Sequence, residues 1–445
     1  MMSVATIANG LITNSNQSTS YVRMISRLAT LEIDGVYYNP AGLTKHLEDG
    51  FHASVSNQMI LQTRIISNNL DILNTNEHNG DMFVPFFPSI YAVYKCSDWA
   101  FSLGFNPVAG GGKVSFDKGI PSLEIRAAAL PTMLSAMGLP TTHYSLDMEF
   151  NGSSVYYGTQ FNATYQICNY LSAAAGARIV FASNAYKGHL RNIKINPQHP
   201  VLNPNNEMIS ATEFFTAFDR PDNANATSDK EADVTQTGMG FAPILGLNFN
   251  YQKLNIAARY EFLTSLETEN NTTIDGTGMF PDKLKQHADV PAYLTIGASY
   301  LVLPNLNVAI GYGYFFDKQA KMHTWDLEKG AFIHREELID NGSAEYSFGL
   351  EYNITEKILI SAGYQYGQFC VSPQYQSDMS HNISNYTLGF GGAYKLTDKI
   401  KINAGFLITN YIPYDVELTS PLGTKFTQTY DRKNSVFSIG LDFKF

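Results

Sequence analysis

Hydrophobic and polar residues alternate along most of this chain, from about residue 51 to the C-terminus. The first such segment, FHASVSNQMILQ, places Phe51, Ala53, Val55, Met59 and Leu61 on one parity and polar residues on most of the other. A period of two is typical of a β-strand. The pattern recurs and predicts about 14 strands, approximately at 51–62, 86–95, from 99 onward, 147–167, 171–188, 236–250, 252–264, 290–302, 306–318, 343–353, 357–370, 383–395, 399–411 and 433–445.

The connections between these strands alternate between short turns and long polar loops. The short turns lie near Ser97, Asn169, Tyr251, Pro304, Thr355 and Thr397. The long loops include 119–145, 191–233, 265–289, 319–342 and 413–432, and they are rich in Asn, Asp, Pro, Gly and Ser. Turns at one end and loops at the other indicate an antiparallel transmembrane β-barrel of the outer-membrane type.

Two strands show which face would meet lipid. In the segment 254–262, apolar residues alternate with Asn255, Ala257, Arg259 and Glu261, and the segment 400–409 repeats this arrangement. The apolar set would face hydrocarbon and the polar set the lumen. Since an open sheet edge leaves backbone groups unpaired in lipid, the sheet has to close.

Composition agrees with a membrane barrel and excludes other classes. Of the 445 residues, 16% are charged and 13% aromatic, whereas soluble domains average ~25% charged. The net charge of −10 argues against nucleic-acid binding, which requires a basic face. A mean hydropathy of −0.14 is compatible with barrel strands, since their polar and apolar positions average out.

The segment ATLEIDGVYYNPAGL at 29–43 precedes the strands and does not alternate. Pro40 lacks a backbone donor and biases Asn39 towards an extended or turn conformation, and Gly35 and Gly42 permit unusual backbone geometries. About 14 strands enclose a lumen too wide for wall side chains to fill. We therefore expect residues 1–46 to form a plug, or hatch, inside a barrel at 47–445; an ordered N-terminal arm is the alternative.

The first ten residues, MMSVATIANG, are mildly apolar with small residues and no basic start. They are compatible with the tail of a secretory signal. The alternative is an internal start of an otherwise mature chain.

The third strand interrupts its own alternation. WAFSLGF is followed by Asn106, Pro107, Val108, Ala109 and then three glycines, Gly110, Gly111 and Gly112. Proline removes a ladder hydrogen bond and glycines allow a bulge or bend. The prediction is an inward kink that opens the wall sideways; an ordinary bulge near the outer rim is the alternative.

The C-terminal segment VFSIGLDFKF alternates and ends on Phe445. A terminal strand of this kind resembles the signal read by the outer-membrane barrel assembly machinery, which would make that machinery a partner during biogenesis. An amphipathic edge strand of a soluble protein is the alternative.

These features in this order resemble the FadL/TodX family of outer-membrane transporters for long-chain fatty acids and other hydrophobic compounds. The resemblance spans nearly the whole chain and is sharpest at Tyr38, Asn39, Pro40, Ala41 and Gly42 and at the run 106–112. It implies a hatch in the lumen, capture of substrate by extracellular loops and exit through the strand-three gap into the bilayer. The long Asn-rich loops depart from well-known fatty-acid transporters, which leaves the substrate open.

A fatty-acid site needs apolar walls and a cationic group for the carboxylate. Parity places Arg64, Arg178 and Arg259 in the lumen as ligand-binding candidates, since arginine binds carboxylates bidentately. The same parity places Glu261, Glu345 and Glu351 there, so a structural ion-pair network is the alternative role. The apolar loop 123–139 would form a short helix serving as an extracellular capture patch, or would pack against neighbouring loops.

No catalytic or metal motif accompanies these features. The three cysteines, Cys96, Cys168 and Cys370, have no metal-ligand spacing; Cys96 and Cys168 both lie beside turns, and free thiols are expected rather than a bond between them. A barrel lipase would need a clustered Ser and His. We expect a monomeric, cofactor-free passive transporter in a Gram-negative outer membrane, in contact with lipid; a structural or adhesive barrel and a general porin are the alternatives.

Overall fold

The computed structural model describes residues 11–327 and 329–445 and contains a closed antiparallel barrel of 14 strands. Three of the strands consist of two segments each. The strands are β1 Gly50–Asn68, β2 Glu77–Cys96, β3 Trp99–Phe116, β4 Tyr144–Cys168, β5 Leu171–Ile195, β6 Lys230–Tyr251, β7 Leu254–Glu261 with Ser265–Asp275, β8 Lys285–His287 with Tyr293–Leu303, β9 Leu306–Phe315, β10 Ala344–Asn353, β11 Ile358–Gln368, β12 Asn385–Thr397, β13 Ile400–Tyr411 with Tyr414–Thr419, and β14 Lys425–Lys444.

The first and last strands close the barrel. They pair in continuous antiparallel register from His52 opposite Lys444 to Asn68 opposite Gln428. Closure gives the outermost backbone groups of both strands a partner, which an unpaired edge in lipid would lack. The predicted strand number is confirmed. Several strands run further than predicted: β4 and β5 have 25 residues each, although about 9–11 residues suffice to cross a bilayer.

The two faces of the wall differ as the alternation predicted. On β7, Asn255, Arg259 and Glu261 are buried in the lumen, whereas Ile256, and Phe262 just after the first segment, are exposed on the outer surface. Other strands present large apolar side chains outward in the same way. The result is a broad apolar band around the barrel, as a lipid-facing surface requires.

The short turns lie at one end of the barrel, the short-turn end, and the long loops lie at the other, the long-loop end. Ser97 and Gln252 in two of the turns have positive φ angles of 52° and 53°. The cysteines Cys96, Cys168 and Cys370 are free thiols, as expected. Among the described residues, no helix is long and apolar enough to cross a membrane.

The loops carry most of the remaining regular structure. It comprises the α-helices Pro121–Ala128, Leu130–Ala136, Ala211–Ala217 and Pro221–Thr227, the 3-10 helices Asp317–Gln319, Arg335–Leu338 and Pro373–Tyr375, the short strand Ile209–Ser210, and a hairpin of His323–Asp326 with Ala331–His334.

The apolar loop 123–139 forms two helices rather than one. Leu130 and Leu134 are buried in a cluster with Phe214 and Phe215 of the neighbouring loop. Met133 and Met137 remain 42% and 58% exposed. Packing against a neighbouring loop therefore accounts for most of its apolar residues.

The N-terminal segment 11–46 lies inside the barrel and is called the hatch below. It contains the helices Thr19–Arg23, Gly35–Tyr38 and Leu43–His46 and the 3-10 helix Pro40–Gly42. Nearly every residue from 11 to 44 is buried, and its side chains bond to lumen-facing residues of many strands. The proposed signal remnant, 1–10, lies outside the described residues.

We predict that a charge on the outer band destabilises the barrel strongly. Ile310 lies in the middle of β9 and is 56% exposed. Replacing it by Lys should lower the free energy of unfolding by about 2–4 kcal/mol, because the ammonium group would enter hydrocarbon. Urea unfolding in lipid vesicles measures this change. Val201→Lys, at a loop position that is 80% exposed, is the control and should change stability by less than about 0.5 kcal/mol; equal effects would contradict a lipid-facing band.

Candidate functional site

Strand β3 turns into the lumen halfway along its length. Up to Phe105 its residues alternate between exposed and buried, but all six residues from 106 to 111 are buried. Two bulges interrupt its pairing with β4, one between Pro107 and Ala109 and one between Gly110 and Gly112. Residues 106–112 therefore form an inward kink.

The kink coincides with a break in pairing between β2 and β3. The two strands pair from Cys96 opposite Trp99 to Ile90 opposite Phe105, and again only at Asp81 opposite Ser115. Residues 82–89 and 106–114 have no partner across this interface, and we call this region the β2–β3 gap. Pro85, Pro88 and Pro107 lie in it and lack the backbone donor that a ladder needs.

Two glycines of the kink are required by the backbone. Gly110 has a φ of +68°, and a Cβ there would overlap the carbonyl oxygen of Ser154. Gly112 has a φ of +149°, and a Cβ there would lie 2.5 Å from Cγ2 of Val84. A side chain at either position would be strained, because only glycine readily adopts such angles. The glycines therefore belong to the kink itself.

The hatch supplies hydrogen-bond partners for the kink. The backbone N–H of Asn14 donates to the carbonyl of Val108 at 2.8 Å, and Thr13 forms a β-bridge with Ala109. Nε2 of Gln17 donates to the carbonyl of Pro107 at 2.9 Å. Residues 12–17 thus take the place of a neighbouring strand from inside the barrel.

Apolar side chains line the inner side of the β2–β3 gap. Val84 of β2 and Val108 and Val114 of β3 belong to one buried cluster together with Leu11 and Ile12 of the hatch. The same cluster continues along the lumen wall. Its lumen-wall members include Ile60, Val180, Leu266, Val290, Leu407 and Val436. A single buried apolar cluster therefore extends from the lumen wall and the hatch to the gap.

The predicted hatch motif fixes the opposite side of the hatch to the wall. Nδ2 of Asn39 donates to Oδ1 of Asn248 at 2.7 Å, and Oγ1 of Thr164 donates to the carbonyl of Pro40 at 2.8 Å. The carbonyl of Ala41 accepts a bond from Ser172 at 2.6 Å. Asn39 has a φ of −148° and a ψ of 71°, outside the helical region that the following proline disfavours.

Gly42 is needed for space rather than for an unusual backbone angle. Its φ is −76°, which any residue adopts, and Gly35 also lacks a positive φ. A Cβ on Gly42 would lie 2.9 Å from the carbonyl oxygen of Thr30. The sequence-based expectation of unusual geometry at Gly35 and Gly42 was therefore wrong; close packing explains Gly42. Tyr38 joins the two halves of the hatch through a 2.7 Å bond from its hydroxyl to the carbonyl of Ser15.

A buried ion cluster holds the hatch at the short-turn end. Arg27 is 2% exposed and pairs with Asp34 at 2.8 Å, with Glu32 at 2.6 Å and with Glu351 of β10 at 3.3 Å. Burial alone would lower the pKa of Arg27, but these carboxylates raise it well above its ordinary value. Arg23 also pairs with Glu351, at 2.5 Å.

The predicted ligand-binding arginines fall into two groups. Arg178 and Arg259 both pair with Glu261, and both lie 4.9 Å from the ring centre of Tyr37 in the hatch. Arg178 and Arg259 therefore connect the wall to the hatch through an ion-pair network, which is the structural role considered as the alternative to ligand binding. Arg64 lies nearer the long-loop end and is the register partner of Arg432.

Arg432 is a residue that sequence reasoning missed. Its guanidinium group lies 5.1 Å from the ring centre of Tyr411 and donates to the carbonyl of His381 at 3.0 Å. Arg64 and Arg432 are 1% and 3% exposed. The alternation of β14 does place Arg432 in the lumen. Its position opposite Arg64, however, depends on the register between β1 and β14.

The hatch leaves little room beside Tyr37 and Arg259. Among the described residues, the cavity between hatch and wall near Tyr37 and Arg259 has a volume of about 10 Å³. Such a cavity holds a single water molecule. In this conformation the described part of the hatch packs tightly against this side of the wall.

Several solved structures of other proteins share this fold. A Pseudomonas aeruginosa FadL homologue has a TM-score of 0.67 and 12% identity, over 98% of this chain and 100% of that chain. The P. putida toluene transporter TodX has a TM-score of 0.60 and 16% identity, over 93% and 94%. The CymD monoaromatic hydrocarbon channel has a TM-score of 0.52 and 14% identity, over 100% and 98%.

No protein-family model and no curated protein sequence matches this chain. At the identities above, the structures establish a common fold. The resemblance to the FadL/TodX family noted in the sequence is thus confirmed as a resemblance of fold.

We predict that Arg27→Met loosens the hatch without opening the barrel. It leaves Asp34 and Glu351 buried without this partner, and breaking a buried pair in this way costs about 3–5 kcal/mol. Hydrogen exchange followed by mass spectrometry should show faster exchange of amides 19–43 and unchanged exchange in the strands. Lys187→Met is the control, because it removes an exposed pair with Asp233. Unchanged protection of the hatch in Arg27→Met would contradict the anchoring role.

Proposed function

We propose that this protein is an outer-membrane transporter for hydrophobic molecules, which leave the lumen sideways through the β2–β3 gap into the bilayer. The observation that carries the proposal is the gap itself: an interrupted ladder, an inward kink and an apolar lining at one point of the wall. Backbone without a partner is tolerated at membrane depth only beside protein or a cavity. Such a break in the wall would serve as a passage for a molecule leaving the lumen.

The path begins at the long-loop end. Substrate enters from outside, between the extracellular loops, and follows the apolar lumen wall towards the kink. Hatch residues 12–17 lie across the inner side of the gap and contact Pro107, Val108 and Ala109. A shift of this short stretch would admit substrate, while the ion cluster around Arg27 keeps the rest of the hatch in place.

Two alternative functions fit these contacts less well. A general porin needs an open aqueous channel, whereas the hatch lies in the lumen and bonds to the wall on several sides. A structural or adhesive barrel has no use for an inward kink and an interrupted ladder. Transport driven by the concentration gradient alone requires no cofactor, and a lateral exit is compatible with a monomer.

We further propose that the ligand carries a carboxylate, as a long-chain fatty acid does. Two buried guanidinium groups, those of Arg64 and Arg432, lie on adjacent strands in register and face the lumen. Like charges placed together in a buried site favour an anion between them. Apolar neighbours such as Ile60 and Val436 would contact the chain of the lipid. The fold neighbours include a FadL homologue and a toluene transporter, so neutral aromatic compounds are the second candidate class.

A reversible disulfide across the gap tests lateral exit. A Cβ built on Gly112 would lie 3.7 Å from the Cβ of Val84, within the range of about 3.5–4.5 Å for disulfides. Because a side chain at position 112 strains the kink, the reduced double variant rather than the wild type is the reference. In a background with Cys96, Cys168 and Cys370 changed to Ser, oxidation of Val84→Cys with Gly112→Cys should lower fatty-acid uptake at least about tenfold, because the bridge holds the gap shut. Reduction should restore uptake, measured with radiolabelled oleate in Gram-negative cells lacking their own transporter.

The control is a cysteine pair at Ser299 and Ala309, which are register partners within the intact ladder of β8 and β9. Oxidation of that pair should leave uptake unchanged. If oxidised Val84→Cys with Gly112→Cys transports as well as the reduced form, the substrate does not use the gap.

A second variant tests the carboxylate site. Arg64→Met should weaken binding of palmitate to the purified protein by about tenfold or more, because a charge-assisted hydrogen bond contributes about 1.5–3 kcal/mol. Methyl palmitate has the same chain without the charge, and its affinity should not change. Arg64→Lys should retain part of the palmitate affinity. Equal losses for both ligands would show that Arg64 only shapes the lumen.

A further inference from the structure

The loop between β9 and β10 brings two histidines and a glutamate together. His323 and His334 lie opposite each other on the hairpin His323–Asp326 with Ala331–His334, at its open end. Glu336 follows two residues later, on the 3-10 helix Arg335–Leu338. One ligand atom from each of the three residues lies within 4.8 Å of the other two.

We propose that His323, His334 and Glu336 bind a divalent metal ion of the zinc class. Imidazole nitrogens and a carboxylate oxygen are the ligands of three-residue zinc sites, in which water completes the tetrahedron. The site is independent of the proposed transport function. It also differs from the sequence-based expectation of no metal ligand, because the hairpin register rather than a local motif assembles it.

The distances fit such a site. In a tetrahedral zinc site with bonds of about 2.0–2.1 Å, neighbouring ligand atoms lie about 3.4 Å apart. Oε1 of Glu336 lies 3.5 Å from Nε2 of His323 and 3.4 Å from Nδ1 of His334. The two histidine nitrogens lie within 4.8 Å of each other. The His334 side chain is 48% exposed, so its ring has room to rotate and solvent can supply the metal.

The surrounding structure orients the ligands. The second carboxylate oxygen of Glu336, Oε2, accepts a hydrogen bond from the backbone N–H of Met322 at 3.0 Å, which leaves Oε1 to face the histidines. The N–H of Arg335 donates to the carbonyl of Met322 at 2.8 Å and fixes the turn. Hydrogen-bonded outer partners of this kind hold metal ligands in place.

One of the ligand nitrogens is buried beside the carboxylate. Nε2 of His323 lies 3.5 Å from Oε1 of Glu336 and makes no well-aligned hydrogen bond with the described residues. A buried polar atom without a well-aligned partner costs free energy. A metal ion at the centre of the three ligands would satisfy this atom and would tie the open end of the hairpin to the following helix.

Titration calorimetry of the full-length, detergent-solubilised protein with Zn²⁺, after chelator treatment, tests the proposal. The expected result is one Zn²⁺ per chain, and visible absorption bands of four-coordinate Co²⁺ when cobalt replaces zinc. His334→Gln and Glu336→Gln should each weaken affinity at least about tenfold, since each removes a ligand. His143→Gln, at an exposed loop histidine, should bind as the wild type does.

The His334 position is exposed, so folding is not at risk in that variant, and a thermal melt of Glu336→Gln without metal checks its fold. Absence of stoichiometric zinc binding in the wild type would overturn the site. So would unchanged affinity in His334→Gln and Glu336→Gln, which would place any bound zinc elsewhere.

Discussion

Hydrogen bonding of backbone in a membrane is the constraint on which this structure depends. Thirteen of the 14 strand interfaces carry pairing over most of the shared length, whereas β2 and β3 leave 82–89 opposite 106–114 unpaired. Hatch residues 12–17 bond to part of this unpaired backbone from inside. The kink and the hatch therefore depend on each other, because each provides hydrogen-bond partners for backbone groups of the other.

The hatch has two kinds of attachment to the wall, and they differ in strength. Around Arg27, buried charges from hatch and wall compensate one another, so moving any of them exposes an unpaired partner. At the kink, the contacts are neutral hydrogen bonds and apolar packing, each contributing about 0.5–1.5 kcal/mol. Under the proposed transport function, substrate would need to displace only the weaker attachment.

The sequence predicted the strands and their lumen-facing residues well, because alternation is a local property that lipid imposes on every strand. It placed Arg64, Arg178 and Arg259 inside correctly for this reason. Contacts between distant parts of the chain could not be predicted from alternation, because they depend on strand register and on the path of the loops. Examples are the position of Arg64 opposite Arg432, the hydrogen bond from Asn14 to Val108, and the position of His323 opposite His334. Gly42 is a further case that the sequence alone could not explain. Glycine is needed there because the segment packs closely against Thr30, not because of the backbone angle of Gly42.

Photolabelling by the substrate tests the lateral-exit account most directly. The wild-type protein in native-like vesicles would be illuminated with a diazirine analogue of palmitate, with and without excess palmitate, and the labelled peptides identified by mass spectrometry. The account predicts that labelling suppressed by palmitate falls on hatch residues 11–17 and on 82–89 and 106–114, the two sides of the gap. Suppressible labelling confined to the loops, or none at the gap, would contradict it.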